Sequence, residues 1–342
     1  MKTIIKLTVI LCTTIILFSC NNNDDDTPQN PILGIWEVVD GTLVDFDKYV
    51  YFNTDNTVNI LGETPDNFKI IFNTNYSVSS DKITIDGLAQ GGPAIFNYHL
   101  NGDNLTLRDR GVILKRIDNA TSPSSWLQEL NILSEGDAPW EGDVDIAFTY
   151  DKTKIVYGKT NDSDHIGLID PNTFEEVGQI ATSNSAKAVE IEKYNEPERY
   201  RFESNNGSEK FYGYDVSNNS LELIATTPGA WITGLASVDY KKIWAASNNE
   251  SSLYLYNYDT ENIDQTITLE IQPQGLDYQN GFLFICDGRF VHKTQVSPTF
   301  KVLKSYKIIG TSISGIAFDG NNFWVSGYKD GKYKIIKTSL VL

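Results

Sequence analysis

SISGIAFDGNNFWVSG (residues 312–327) is one copy of a pattern that returns through the last two-thirds of the chain. It reads as a short apolar strand (Gly315-Ile316-Ala317-Phe318), a turn (Asp319-Gly320-Asn321-Asn322) and a second, more aromatic strand (Phe323-Trp324-Val325-Ser326). The same phrase stands at TGLASVDYKKIWAAS, 233–247, and at QGLDYQNGFLFICDG, 274–288. Weaker copies begin at Val144-Asp145-Ile146-Ala147-Phe148 and at Lys187-Ala188-Val189-Glu190-Ile191. Aligned within the first strand, the copies start at Asp145, Ala188, Gly234, Gly275 and Gly315, so the spacings are 43, 46, 41 and 40. Self-similarity at that period, carried by strands alone, predicts five propeller blades over 143–342.

The outer half of each repeat has its own phrase: an apolar strand ending in Asp and then a Pro, Asn, Ser or Thr turn. It occurs at His165–Val177, Lys210–Leu221 and Leu253–Asn262. The carboxylate suits an Asx-type turn that accepts backbone N–H groups. This phrase resembles that of the six- and seven-bladed repeat propellers of microbial surfaces, from which five blades would depart. The last blade has only three strands before residue 342, so a ring needs a fourth from elsewhere. The apolar run at 128–133, within a Ser/Pro-rich boundary segment (119–142), can supply it, with an interdomain helix as the alternative.

Propeller sites are expected at the mouth of the central channel where the first strands begin. The alignment puts Val144, Lys187, Thr233, Gln274 and Ser314 in one ring where the first strands begin, flanked by Asp143 and Asp145. One cation among carboxylates and neutral polar groups could bind a sugar or a peptide. An empty, water-filled channel would be lined the same way. For catalysis, Asp145, Glu190 and Asp277 are available on first strands, but they sit in no recognisable motif and no catalytic residue is assigned. The chain has no Gly-x-Ser-x-Gly elbow. His99, His165 and His292 lie far apart, so neither a metal nor a cofactor is expected.

Residues 31–118 hold nine short alternating segments separated by turns such as Asp86-Gly87 and Asn101-Gly102. That density points to a small closed barrel, which leaves no exposed edge. Gly34-Ile35-Trp36, Tyr51–Val58 and Tyr98–Leu107 resemble the short lipocalin-like domains of bacterial lipoproteins. The resemblance implies that Trp36 plugs the barrel's bottom. An interior this small is expected to be filled by its own side chains, although a small apolar ligand is the alternative.

At the N-terminus, Lys2 and Lys6 precede an apolar run from Leu7 to Phe18, which reads as a secretory leader (1–19). Leu17-Phe18-Ser19-Cys20 resembles the lipobox of bacterial lipoproteins, and the resemblance implies acylation of Cys20; Phe18 is bulkier than the family's usual residue. The acidic stretch 20–30 then serves as a tether, and its Asp24-Asp25-Asp26 resembles a Gram-negative surface-export signal. The expected address is the outer membrane, lipid-anchored and surface-exposed, with a periplasm-facing anchor as the alternative. Loss of Lys2 and Lys6 would take the formal charge from −17 to −19. Such acidity argues against nucleic acid as a partner. Cys286 is left as a lone thiol, expected to be buried and inert.

The expected molecule is thus all-β, a lipocalin-like barrel followed by a five-bladed propeller. Its expected role is binding or scaffolding in the cell envelope, with a glycan, peptide or surface protein as partner. The alternative is an extracellular propeller enzyme of glycosidase or cyclotransferase type.

Overall fold

The computed structural model describes residues 30–89, 92–117, 128–158, 165–182, 186–191, 199–204, 210–216, 218–226 and 231–342. The leader, Cys20, the tether up to residue 29 and the boundary stretch 118–127 lie outside the described residues. The described residues contain strands and turns and no helix.

Eight strands close the barrel in sequence order: Gly34–Asp40, Asp47–Phe52, Thr57–Glu63, Lys69–Val78, Lys82–Ala89, Gly92–Asn101, Asn104–Leu107 and Val112–Ile117. The first pairs with the last, so no edge is exposed. Nine segments were expected. The two around Asn73-Thr74 are one ten-residue strand, because it serves two neighbours in succession and its backbone stays paired through Asn73-Thr74-Asn75. Its first half pairs with Thr57–Glu63 and its second with Lys82–Ala89. Trp36 is fully buried within the barrel core. Its indole Nε1 donates to Ile32 O at 2.8 Å, and the Arg116 guanidinium lies 4.3 Å above its ring. Val50, Ile60, Ile83, Leu105 and Leu114 fill the interior behind it.

The propeller consists of five sheets, and the first three run outward from the axis wholly in sequence order. The innermost strands are Ile146–Phe148, Ala186–Ile191, Ile232–Ser237, Leu276–Gln279 and Thr311–Phe318. Each touches its neighbours and the last touches the first, so the ring is complete. Burial falls along this radius: Ile232–Ser237 is buried throughout, whereas Glu176–Ala181, at an outer edge, alternates half-buried and exposed.

The fifth sheet takes its outer strand from the far end of the propeller sequence. Ile132–Asp137 pairs antiparallel with Lys332–Thr338, displaced by four residues from the 128–133 expected. Gln128–Glu129 instead runs parallel to Lys301–Lys307 at the edge of the fourth sheet. Side chains account for the displacement. Leu130 is buried between the fourth and fifth sheets, while Leu133 is 54% exposed. Asp137 then meets Lys332 and Lys334, each at 2.5 Å, and Glu135 meets Lys329 at 2.7 Å.

Phe68 leaves the barrel wall and enters the propeller. It is fully buried, edge-on to His292 with centroids 4.9 Å apart, and tilted against Phe300. His292 is held in turn by Ser305 Oγ, 2.8 Å from Nδ1, and Asp287 Oδ2, 3.1 Å from Nε2. That buried chain of polar groups fixes the surface on which the barrel rests.

Candidate functional site

The narrowest part of the channel follows from small residues. A Cβ on Gly275 would stand 2.5 Å from Gly315 Cα and 2.8 Å from Asp145 Oδ1, and one on Gly315 would stand 2.7 Å from Asp145 Cα. The inner strands can approach this closely only because those positions lack side chains. Asp145 occupies the equivalent position in the first blade, and its carboxylate takes up the remaining space. It is 0% exposed. Oδ2 accepts the Leu235 N–H at 3.0 Å, whereas Oδ1 has no partner of normal hydrogen-bond geometry. Burial pushes this carboxyl well above the ordinary value of 3.8, and the nearby charge of Glu190 adds to the rise; surrounding backbone N–H groups offset part of it.

The ring expected from the alignment lies where the inner strands begin. Val144 is buried there. The Thr233 hydroxyl donates to Pro273 O at 2.9 Å. Ser314 Oγ lies 3.2 Å from Ser326 Oγ, which donates to Val144 O at 2.6 Å. Lys187 O accepts the Asp145 N–H at 3.1 Å. Lys187 and Gln274 are half-buried and Asp143 is exposed. The polar groups of Thr233 and Ser314 are therefore engaged inside the protein, and the hydroxyls of Thr233 and Ser326 tie each blade to the segment entering the next.

A partly open depression lies at the opposite end, where the inner strands finish. Its volume is about 280 Å³. Glu190 and Asp277, both buried, come to it from the second and fourth blades; Phe148, Tyr150 and Phe318 supply aromatic surface, and Lys152 adds a cation to the lining. Ser237 N–H donates to Glu190 Oε2 at 3.0 Å and Ile191 N–H to Oε1 at 2.7 Å. Asp277 Oδ1 accepts from Gln279 Nε2 at 2.7 Å. Two hydrogen-bonded carboxylates beside aromatic faces suit a ligand with a positively charged or donor-rich group. Both also stand where proton transfer to a bound molecule is geometrically open.

The sequence holds a signal for this convergence. Two residues beyond the alignment position, and so on the same strand face, the five copies read Ala147, Glu190, Ala236, Asp277 and Ala317. Acids occupy two of five otherwise small positions. The contributions of Tyr150, Lys152 and Gln279 have no such signal, because they come from the turn and strand-end positions of the phrase, where residues differ from copy to copy. Cys286 is fully buried; burial pushes its thiol well up, with Asp145, Asp287 and Asp277 adding to the effect.

No protein-family model and no curated protein matches the sequence. Among solved structures, the chain is similar to the glutaminyl cyclase of Myxococcus xanthus (TM-score 0.51, 10% identity), with 63% of this chain and 98% of that one covered. It also aligns with the hydrazine synthase of Kuenenia stuttgartiensis at a TM-score of 0.40 and 14% identity, over 56% of this chain and 57% of that one. At such identities the first likeness is one of propeller fold alone, and the second is too weak to add to it.

Proposed function

We propose that the chain is a lipid-anchored cell-envelope protein whose propeller binds the cationic group of a small ligand, such as a peptide amine or an amino sugar, where its inner strands finish. One observation carries the binding role: Glu190 and Asp277, from non-adjacent blades, meet aromatic side chains in one depression of about 280 Å³. A space of that size suits a terminal group rather than a folded partner. The anchor rests on Leu17-Phe18-Ser19-Cys20 and the polar tether that follows.

Two measurements test this reading. Calorimetric titration of the full chain with peptides bearing free or acetylated amino termini, and with chitosan or chitin oligomers, should show binding of the amine forms. It should weaken about tenfold in Asp277→Asn, the loss expected for a charge-assisted hydrogen bond. Equal binding of the acetylated forms would remove the cationic group from the proposal. Separately, Cys20→Ala should release the protein from membranes, and its retention after a high-salt wash would remove the anchor.

A second reading, an extracellular propeller enzyme, is favoured by the same two carboxylates sharing one depression. The fold shared with a cyclase is compatible with it. Turnover of glutaminyl-terminated peptides or aryl glycosides that disappears in both Glu190→Gln and Asp277→Asn would select this reading over simple binding.

A further inference from the structure

We propose that the cleft between the barrel and the propeller is a second ligand site, one that takes a saccharide carrying a single carboxylate. The cleft measures about 600 Å³, with Phe72 and Asn73 from the barrel, Arg289 and Lys307 from the fourth blade, and Ser312 and Tyr328 from the fifth among its walls. Clefts of this size at a junction between folding units are the usual setting for small-molecule sites.

Charge is the main argument. The chain carries 45 Asp and Glu against 28 Lys and Arg, yet among the described residues no carboxylate lines this cleft, and the two charged side chains there, Arg289 and Lys307, are both cations. Neither is neutralised by an acid among the described residues. The Arg289 guanidinium donates to the backbone oxygen of Ile71, and the Lys307 ammonium has no hydrogen-bond or ion-pair partner there. The lysines of the neighbouring blade are handled differently: Lys329, Lys332, Lys334 and Lys337 each lie within 3.0 Å of a carboxylate. Two unneutralised cations in one concavity of an acidic protein form a site for an anion, and the guanidinium fork matches a carboxylate.

The remaining walls narrow the class. Asn73 and Ser312 offer an amide and a hydroxyl, and Tyr328 is 44% exposed, held edge-on by Tyr333 at 5.1 Å. Hydroxyl partners and an exposed aromatic ring suit a sugar; a fatty acyl chain would require a closed apolar tunnel. Past Ser312 and Tyr328 the cleft runs into a second depression of about 700 Å³, where Glu141 and Asp143 lie beside Tyr333 and Lys332. Those carboxylates repel a second anionic unit and accept hydroxyl donors. The occupant is therefore one uronate unit followed by neutral sugar, not a polyanion, which would need a longer run of cations. Because the walls come from both barrel and propeller, this ligand also clamps the two together.

The test is calorimetric titration of the full chain with glucuronosyl-β-1,4-glucose, cellobiose and inorganic phosphate. The uronate disaccharide should bind about tenfold more tightly than cellobiose, and its affinity should fall as salt is raised. Lys307→Gln should weaken binding of the uronate disaccharide about fivefold to tenfold without loss of stability, since that ammonium pairs with no group among the described residues. Arg289→Lys keeps the charge and loses the fork, and should also weaken it. Lys301→Gln, exposed on the same strand as Lys307, is the control and should change nothing. Failure of the uronate disaccharide to bind, equal affinity for cellobiose, equal affinity for inorganic phosphate, or binding that survives Lys307→Gln would each overturn the proposal. None of these outcomes bears on the depression at Glu190 and Asp277.

Discussion

At the end of the propeller channel where the inner strands begin, Thr233 and Ser326 direct their hydroxyls to backbone oxygens of neighbouring segments, and Ser314 stays buried beside Ser326. At the end where the same strands finish, Glu190 and Asp277 border a depression with Phe148, Tyr150 and Phe318. Between the two ends Gly275 and Gly315 bring the strands together around the Asp145 carboxylate. A ring of five blades has little axial room. At one end the ring hydroxyls join blades, and at the other Glu190 and Asp277 face a depression that can take a small ligand group. A polar ring in an alignment is thus not by itself a site; whether its atoms already have internal partners decides the matter.

The largest expected effect comes from breaking the narrow zone itself. Gly315→Val would set side-chain atoms against the backbone of Asp145 and Val144, which cannot move without parting the blades. A loss of about 4 kcal/mol or more in denaturant unfolding is expected, or no folded propeller at all. A variant as stable as the parent would show that the strands do not touch there.

Next is the sealed end. Ser326→Ala removes the donor to Val144 O and the neighbour of Ser314, leaving buried oxygens without a hydrogen. About 2 kcal/mol should be lost. If Thr233→Ala and Ser326→Ala both leave the unfolding midpoint unchanged, that end is not held by its hydroxyls.

A smaller effect, specific to pH, belongs to Asp145. Its folded-state pKa is raised by burial, so folding favours the protonated acid. The associated stability is complete below 3.8 and is lost as pH rises through the raised value. Surface carboxylates act in the other direction. Asp137, held at about 2 chiefly by its hydrogen bond to Lys332, contributes stability that is lost only as pH falls towards that value. The two windows are separate. As pH rises above the ordinary value of 3.8 the parent should destabilise more steeply than Asp145→Asn, which has no proton to release. Parallel melting curves across that range would mean that Asp145 is charged throughout.

The smallest effect on stability is expected at the open end. Asp277→Asn keeps an oxygen for Gln279 Nε2 and should cost under about 1 kcal/mol. The measurement that matters there is amine binding, so a variant with near-parental stability and weakened binding would sharpen the contrast with the sealed end. If Asp277→Asn instead destabilises as much as Ser326→Ala, the two ends differ less than their geometry indicates.

Much was legible in the repeat. The periods of 40 to 46 residues and the alternation within 31–118 specify blades and a barrel, because strand burial is written at the level of neighbouring residues. The need for a strand from before the propeller also follows from counting strands. Its register does not: Leu130 buried between two sheets, and Glu135 and Asp137 facing lysines more than 190 residues away, moved the pairing to Ile132–Asp137. The insertion of Phe68 beside His292 has no local signature either, since a Phe at a barrel turn looks the same whether it faces solvent or another domain.

The sequence by itself determined the strand content, the five-fold repetition and the presence of acids at inner-strand positions, all of which depend on residues close together in the chain. Tertiary structure alone decided which end of the channel is sealed, that Glu190 and Asp277 share one depression, and that Arg289 and Lys307 meet in a cleft with no acid of their own. Those outcomes depend on distances between segments brought together by ring closure, and no local pattern encodes such distances.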